Sequence, residues 1–511
     1  MNRLHRLTVL LVFAVITACA TGPGSESSFN YRLLGNRESG LAYAVRFAVE
    51  VREAGVRAER LLDIADHYAE LGLPEESRAV REFAEEVITA AGEDSGVSPQ
   101  AVRLARFYLD RGAPERATVL LDTAVARVGG LPTPAARADV LEEVIDLCFE
   151  GGDELFDVLR RAIERVFVVE DLPRRVDILT RAAVRYQDRG VRQSANTLIQ
   201  QAIPAAGNIS ASWQRASAFA AIARAYRAIE DRDRAERMIQ DALEAVRDEQ
   251  GVPAESAAEF LARLVALGYR PDALSLAEGV ERPASRAVVL SRIAETYTSD
   301  ELRSSAFVLY ARAVSAAGSV EDADARAESY LHVAQSYLRF GERQLAVIQA
   351  ENAVRSLGRS DPAARDIRTM QELADLYLAA EALDNLGAVP ALTRSAIDQA
   401  RIAAYISLSA DGRFQDIAHE YLDAARQARE QAEVDAETAA PADRRLALAS
   451  ARLGRLDAAI AELTETRSGS TASELMVAIG YAAMQNGGLS EDQRSRIDDF
   501  YRTYRQRQRL G

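Results

Sequence analysis

At 511 residues, 48% of them hydrophobic, the chain has ample apolar material to fold but is too long for one compact core. Its formal net charge of −15 argues against general nucleic-acid binding and against adhesion to anionic lipid through charge. All 62 basic residues are arginine, which excludes a Walker A loop, a Schiff-base lysine and a Ser-x-x-Lys nucleophile.

Residues 1–18 read as a targeting segment. Arg3 and Arg6 are its positive start, and Leu7 to Ile16 is an apolar run too short to span a bilayer. The run ends in Ile16-Thr17-Ala18-Cys19, which resembles a bacterial lipobox, with Ile16 where that family usually has Leu. The resemblance implies lipidation of Cys19 and a mature chain anchored by several acyl chains. Ala20 replaces the Asp of an inner-membrane retention signal, so the expected address is the outer membrane, facing the periplasm. Residues 19–40 form an expected flexible tether. Cys148, the other cysteine, reads as a small buried hydrophobe.

A first helix is expected over Leu41 to Glu53, and the chain then repeats itself. In the clearest unit, Pro99 to Val128, Ala101, Leu104, Ala105 and Tyr108 form an amphipathic stripe. Gly112 breaks the helix and Ala117, Leu121 and Ala124 form a second stripe. A slot held by Tyr68, Tyr108, Cys148, Tyr186, Tyr226, Leu264, Tyr297, Tyr337 and Tyr377 recurs at intervals of 40, except for two of 38 and one of 33. Such periods mark solenoids and related arrays. Three residues before the slot the residue is usually Ala, from Ala65 to Ala374. Four after it come Gly72, Gly112, Gly152, Gly190, Gly268 and Gly341. Nine and sixteen after it, alanines such as Ala195 and Ala202 or Ala346 and Ala353 keep step.

Tyr, Gly four on, Ala nine on, a bulky residue thirteen on (Leu121, Ile199, Ile239, Tyr310) and Ala sixteen on resembles the tetratricopeptide (TPR) motif. The period nearer 40 than 34 and the absence of the family's Trp depart from it, so the repeats are TPR-like. The resemblance implies an all-α solenoid, a superhelix of about eleven or twelve helix-turn-helix repeats. It covers Arg57 to Ser356 well and the rest loosely. The solenoid is expected over 41–428, an acidic linker or long loop over 429–443, and C-terminal helical repeats with a capping helix over 444–511.

In TPR arrays the first helices line the concave face. The slot two residues before the tyrosine would then face a groove; it holds Asp66, Arg106, Asp146, Val184, Arg224, Glu295, Gln335 and Asp375. This is a polar set of mixed sign, suited to peptide groups or to a plain solvated face. Arg recurs eleven residues before the slot at Arg57, Arg137, Arg175, Arg215, Arg286 and Arg326. Either these make inter-repeat hydrogen bonds or they form a guanidinium ladder for an acidic ligand.

His67, His332 and His419 stand in separate repeats, so no metal site or cofactor is expected. Acidic pairs such as Glu142-Glu143 are ordinary solvated helix faces, and no catalytic constellation appears. The reading is a non-enzymatic, lipid-anchored scaffold binding a protein or peptide in envelope assembly or maintenance, with no nucleic-acid partner. Alternatives are a ligand-capture or transporter-associated lipoprotein of SusD or TPR type, and a helical enzyme acting on peptidoglycan.

Overall fold

The computed structural model describes residues 29–93, 95–247, 252–298, 300–361, 365–410, 412–466 and 468–510. Cys19 and the expected signal segment lie outside the described residues. The described chain is all-α, with helices and short 3-10 turns and no strand. It divides into two compact units, Met1–Ala91 with Gly454–Gly511, and Gly92–Leu453.

The first unit begins with α1 (Gly40–Val49), α2 (Ala54–Glu70) and α3 (Pro74–Ala90). The second unit is the solenoid proper. Its helices are α4 (Ser98–Leu109), α5 (Pro114–Arg127), α6 (Pro134–Gly151), α7 (Phe156–Val166), α8 (Leu172–Asp188), α9 (Arg192–Gly207), α10 (Ser212–Ala228), α11 (Arg232–Val246) and α12 (Ala254–Ala266). They continue as α13 (Arg270–Glu278), α14 (Pro283–Glu295), α15 (Asp300–Gly318), α16 (Ala323–Arg339), α17 (Arg343–Leu357), α18 (Ile367–Ala379), α19 (Ala396–Ser409), α20 (Gln415–Gln431) and α21 (Ala436–Arg452). The first unit closes with α22 (Leu456–Glu465), α23 (Gly469–Gln485) and α24 (Glu491–Leu510).

The repeats are TPR-like hairpins, and every slot residue from Tyr68 to Tyr377 is buried. So are the residues three before the slot and the alanines nine and sixteen after it. Small residues at the crossings let two helices approach closely, while the tyrosines fill the gap between them. The turn after most first helices is equally regular. The slot carbonyl accepts the amide five residues on, as in Ala113 to Tyr108, Val191 to Tyr186 and Asp231 to Tyr226, each at 2.9 Å. This closure needs a left-handed residue at the fourth position. Gly112 (φ 67°) and Gly190 (φ 75°) supply it, whereas Glu230 (φ 62°) and Glu381 (φ 60°) adopt it without glycine's freedom.

The interval of 33 has a simple cause. α13 is nine residues long where α11 is fifteen. The interval is seven residues short of the usual 40, about two helical turns, so the buried face keeps its phase.

Two expectations meet a different structure. The first helix stops at Val49 rather than Glu53. Residues 429–443, expected as a linker or loop, are mostly helical: α20 runs to Gln431, and α21 begins at Ala436 and carries Pro441 within it. Asp435 starts α21 by accepting the Thr438 amide at 2.8 Å, and alanine propensity carries the helix onward. The last helix, α24, packs inside the first unit, burying Ile497, Phe500 and Tyr504. There Phe47 of α1 lies 4.9 Å from Tyr504 and 5.0 Å from Tyr501, ring centre to ring centre. Its aromatic stripe, hidden in a sequence dominated by arginine, decides the placement.

Candidate functional site

The six arginines eleven residues before the slot all do one structural job. Each donates to the carbonyl six residues upstream: Arg57 to Val51 (2.7 Å), Arg137 to Leu131 (3.0 Å), Arg175 to Val169 (2.9 Å), Arg215 to Ile209 (2.9 Å), Arg286 to Val280 (2.7 Å) and Arg326 to Val320 (2.8 Å). The guanidinium thus closes the turn that leads into each of these six first helices. Of the two readings of this row, the structure shows the hydrogen-bonding one, made to backbone oxygens within each turn.

The residues two before the slot form lateral links between consecutive first helices. Arg106 of α4 donates to Glu143 of α6 at 3.3 Å, and Asp146 of α6 accepts from Arg181 of α8 at 3.1 Å. Gln335 of α16 donates to Glu372 of α18 at 3.3 Å. In all three, a residue two before one slot meets a residue five before the next. Glu295, only 13% exposed, is gripped by Arg292 and Arg339, each at 2.6 Å. Asp375 accepts the Tyr405 hydroxyl at 2.7 Å; burial raises its pKa, Tyr405 opposes that, and Glu372 adds to it. Val184 is half-buried. Arg224 is largely exposed, and partial burial together with the charges of Arg263 and Arg181 holds its pKa down. Asp66 belongs to the first unit, where it accepts a hydrogen bond from the buried Arg81 of the neighbouring helix. The structure therefore aligns Arg106, Asp146, Arg224, Glu295, Gln335 and Asp375 along one face of the second unit.

That face curves inward. Arg263 of α12 donates two bonds to Asp177 of α8, at 2.9 and 3.2 Å, and a third to the Ser217 carbonyl of the intervening α10 at 3.1 Å. Helices two repeats apart thus touch across the one between them. Burial acts to lower the Arg263 pKa, but Asp177 and Glu259 outweigh it and the net shift is upward. Farther along, His332 of α16 lies 4.0 Å from Glu255 of α12, again two repeats away.

Beside the Arg263 bridge lies an open cleft of about 670 Å³. It is lined by the N-terminal parts of α8, α10 and α12 and the loops before α8 and α10. The slot pattern passes over Asp177, Glu259 and Arg263. Asp177 had a readable signal: it stands seven residues before Val184, two helical turns away on the same face.

No protein-family model matches the chain, and no curated protein matches it. Solved structures do. Ton1535 from Thermococcus onnurineus NA1 is similar at 12% identity and a TM-score of 0.30, over 68% of this chain and 98% of that one. A signal-transduction ATPase with a tetratricopeptide repeat sensor from Pyrococcus horikoshii is similar at 15% identity and a TM-score of 0.23, over 81% and 68%. Human IFIT1, solved as a dimer with PPP-AAAA, is similar at 14% identity and a TM-score of 0.23, over 95% and 97%. The TPR-like assignment rests on this chain's own slots and turns.

Proposed function

We propose that this chain is a non-enzymatic scaffold whose inward-curving face of first helices binds a protein or peptide. The observation that carries this reading is the Asp177–Arg263 bridge. It brings three consecutive first helices around one polar cleft, where backbone amides and carbonyls of an extended partner would find donors and acceptors. Lipid on Cys19 would hold the scaffold at the periplasmic side of a bacterial outer membrane, in envelope assembly or maintenance.

Two experiments test the two halves. A photo-crosslinking residue at Gln214, in the cleft, should give a discrete protein adduct in intact envelopes, and one at Arg237, on second helix α11, should not. Adducts from Arg237 alone would reverse the assignment of the binding face. Cys19→Ser should move the protein from the membrane pellet to the soluble fraction, and retention in the pellet would refute the lipid anchor.

A further inference from the structure

The cleft beside Arg263 adjoins a second hollow on the same face, between α4, α6 and α8, of about 370 Å³; Arg174 lines both. The first holds four carboxylates (Glu170, Asp171, Asp177, Glu259) and two guanidiniums, Arg174 and Arg263. The second holds five carboxylates, all on α6, and two guanidiniums, Arg106 and Arg174. Together that is nine carboxylates against three guanidiniums. Adding Arg181, Arg185 and Arg224, which stand beside them, still leaves carboxylates in excess.

The five carboxylates of α6 include Asp139, Glu142, Glu143 and Asp146, a spacing that keeps them on one stripe of the helix. Like charges at such spacing cost stability unless cations are supplied. The protein supplies several, all partly exposed. Arg174 reaches Asp139 at 2.6 Å and Glu142 at 3.6 Å, and Arg106 reaches Glu143 at 3.3 Å. Arg181 pairs with Glu142 and Asp146, Arg185 reaches Asp146 at 3.5 Å, and Arg137 reaches Glu170 at 3.9 Å, so a basic partner would share or replace these exposed pairs.

A second feature is independent of the charge. Ser217 lines the cleft and is only 5% exposed, and its hydroxyl oxygen, itself buried at the cleft wall, has no hydrogen-bond partner among the described residues. A buried hydroxyl without a partner is destabilising, so an incoming polar group that engages it recovers that loss. The Ser217 carbonyl beside it already holds Arg263.

We propose that the partner of this face is a basic peptide segment, extended along α6, α8, α10 and α12. Its arginine or lysine side chains meet the α6 carboxylates and Glu170, and its polar backbone engages Ser217. The proposal rests on the scaffold reading and adds the chemistry of what is bound.

The test is fluorescence anisotropy on the full mature chain with three labelled peptides of roughly ten residues, alternating Ser with Arg, Gln or Glu. The Arg–Ser peptide should bind, and its affinity should fall steeply as salt rises from about 0.05 to about 0.5 M. The triple variant Glu143→Gln, Glu150→Gln, Glu259→Gln should weaken it about tenfold or more. The same charge change on or beside second helices, Glu115→Gln, Glu154→Gln, Glu164→Gln, should change it less than about threefold. Ser217→Ala should weaken binding without lowering the melting temperature, a split that a purely structural serine would not give. Equal effects of the two triple variants would mean diffuse attraction to an acidic protein and would overturn the site. Binding of the Gln–Ser or Glu–Ser peptide in preference would overturn the basic partner and leave the scaffold standing. Binding of none of the three would count against both.

Discussion

Gly40 and Gly480 lie back to back where α1 crosses α23. A Cβ on Gly40 would come within 2.6 Å of the Gly480 carbonyl oxygen, and one on Gly480 within 2.5 Å of that of Gly40. Both obstacles are backbone, which cannot swing aside as a side chain can. Helices from the two ends of the chain are thus joined in one unit at a contact only glycine permits. Tyr43 donating to Asp498 at 3.0 Å, and Arg505 pairing with Glu50 at 3.0 Å, add to the same junction. Gly480→Ala should cost about 1–3 kcal/mol by overpacking, read as a lower denaturation midpoint. Gly92→Ala, with open space around its Cβ position, should be near neutral.

The two glutamates at left-handed positions offer a gain. Glu230 is exposed at φ 62°, in the slot that glycine fills in most repeats. Glu230→Gly should stabilise the protein by about 1 kcal/mol, and Gly190→Ala, the reverse change at φ 75°, should destabilise it by a similar amount. Thermal melts of the two single variants should therefore move in opposite directions.

The arginine clamps are expected to matter locally. Arg286→Gln removes a donor to the Val280 carbonyl and should cost about 1 kcal/mol, the side chain being partly solvated. Hydrogen exchange should quicken at the turn before α14 and hardly elsewhere.

Alkaline pH should loosen the stack. Burial pushes Tyr68, Tyr377 and Tyr421 from 10.0 up to about 12, and the Cys148 thiol from 9.0 up to about 12. Each group keeps its proton longer folded than unfolded. The stability it contributes is therefore complete below the unfolded value and is lost as pH rises through the folded one. Denaturation midpoints should hold to about pH 9 and fall between there and about pH 12. Cys148 should likewise resist alkylation at about pH 8 until the chain is unfolded.

Much of this fold was legible in the sequence because one repeated constraint, a buried slot between two small-residue crossings, wrote itself nine times, seven of them with tyrosine. The exceptions are places where a single local interaction decides. Asp435 capping α21 turned an expected loop into helix, and the aromatic stripe of α24 was masked by Arg502, Arg505 and Arg507 around it. The polar face was legible as a row of positions, but its pairings were not. Asp177 and Arg263 are 86 residues apart, and only the curvature of the stack brings them together.

The slot tyrosine is the plug between stacked helix pairs, and Tyr226→Ala followed by residue-resolved hydrogen exchange tests that role most directly. Loss of this ring, 2% exposed between α10 and its neighbours, should cost about 3–5 kcal/mol. In a quasi-one-dimensional stack, protection should then fall first in α8 to α13 and persist in α16 to α20. Unchanged exchange around position 226, or an equal loss along the whole chain, would contradict it.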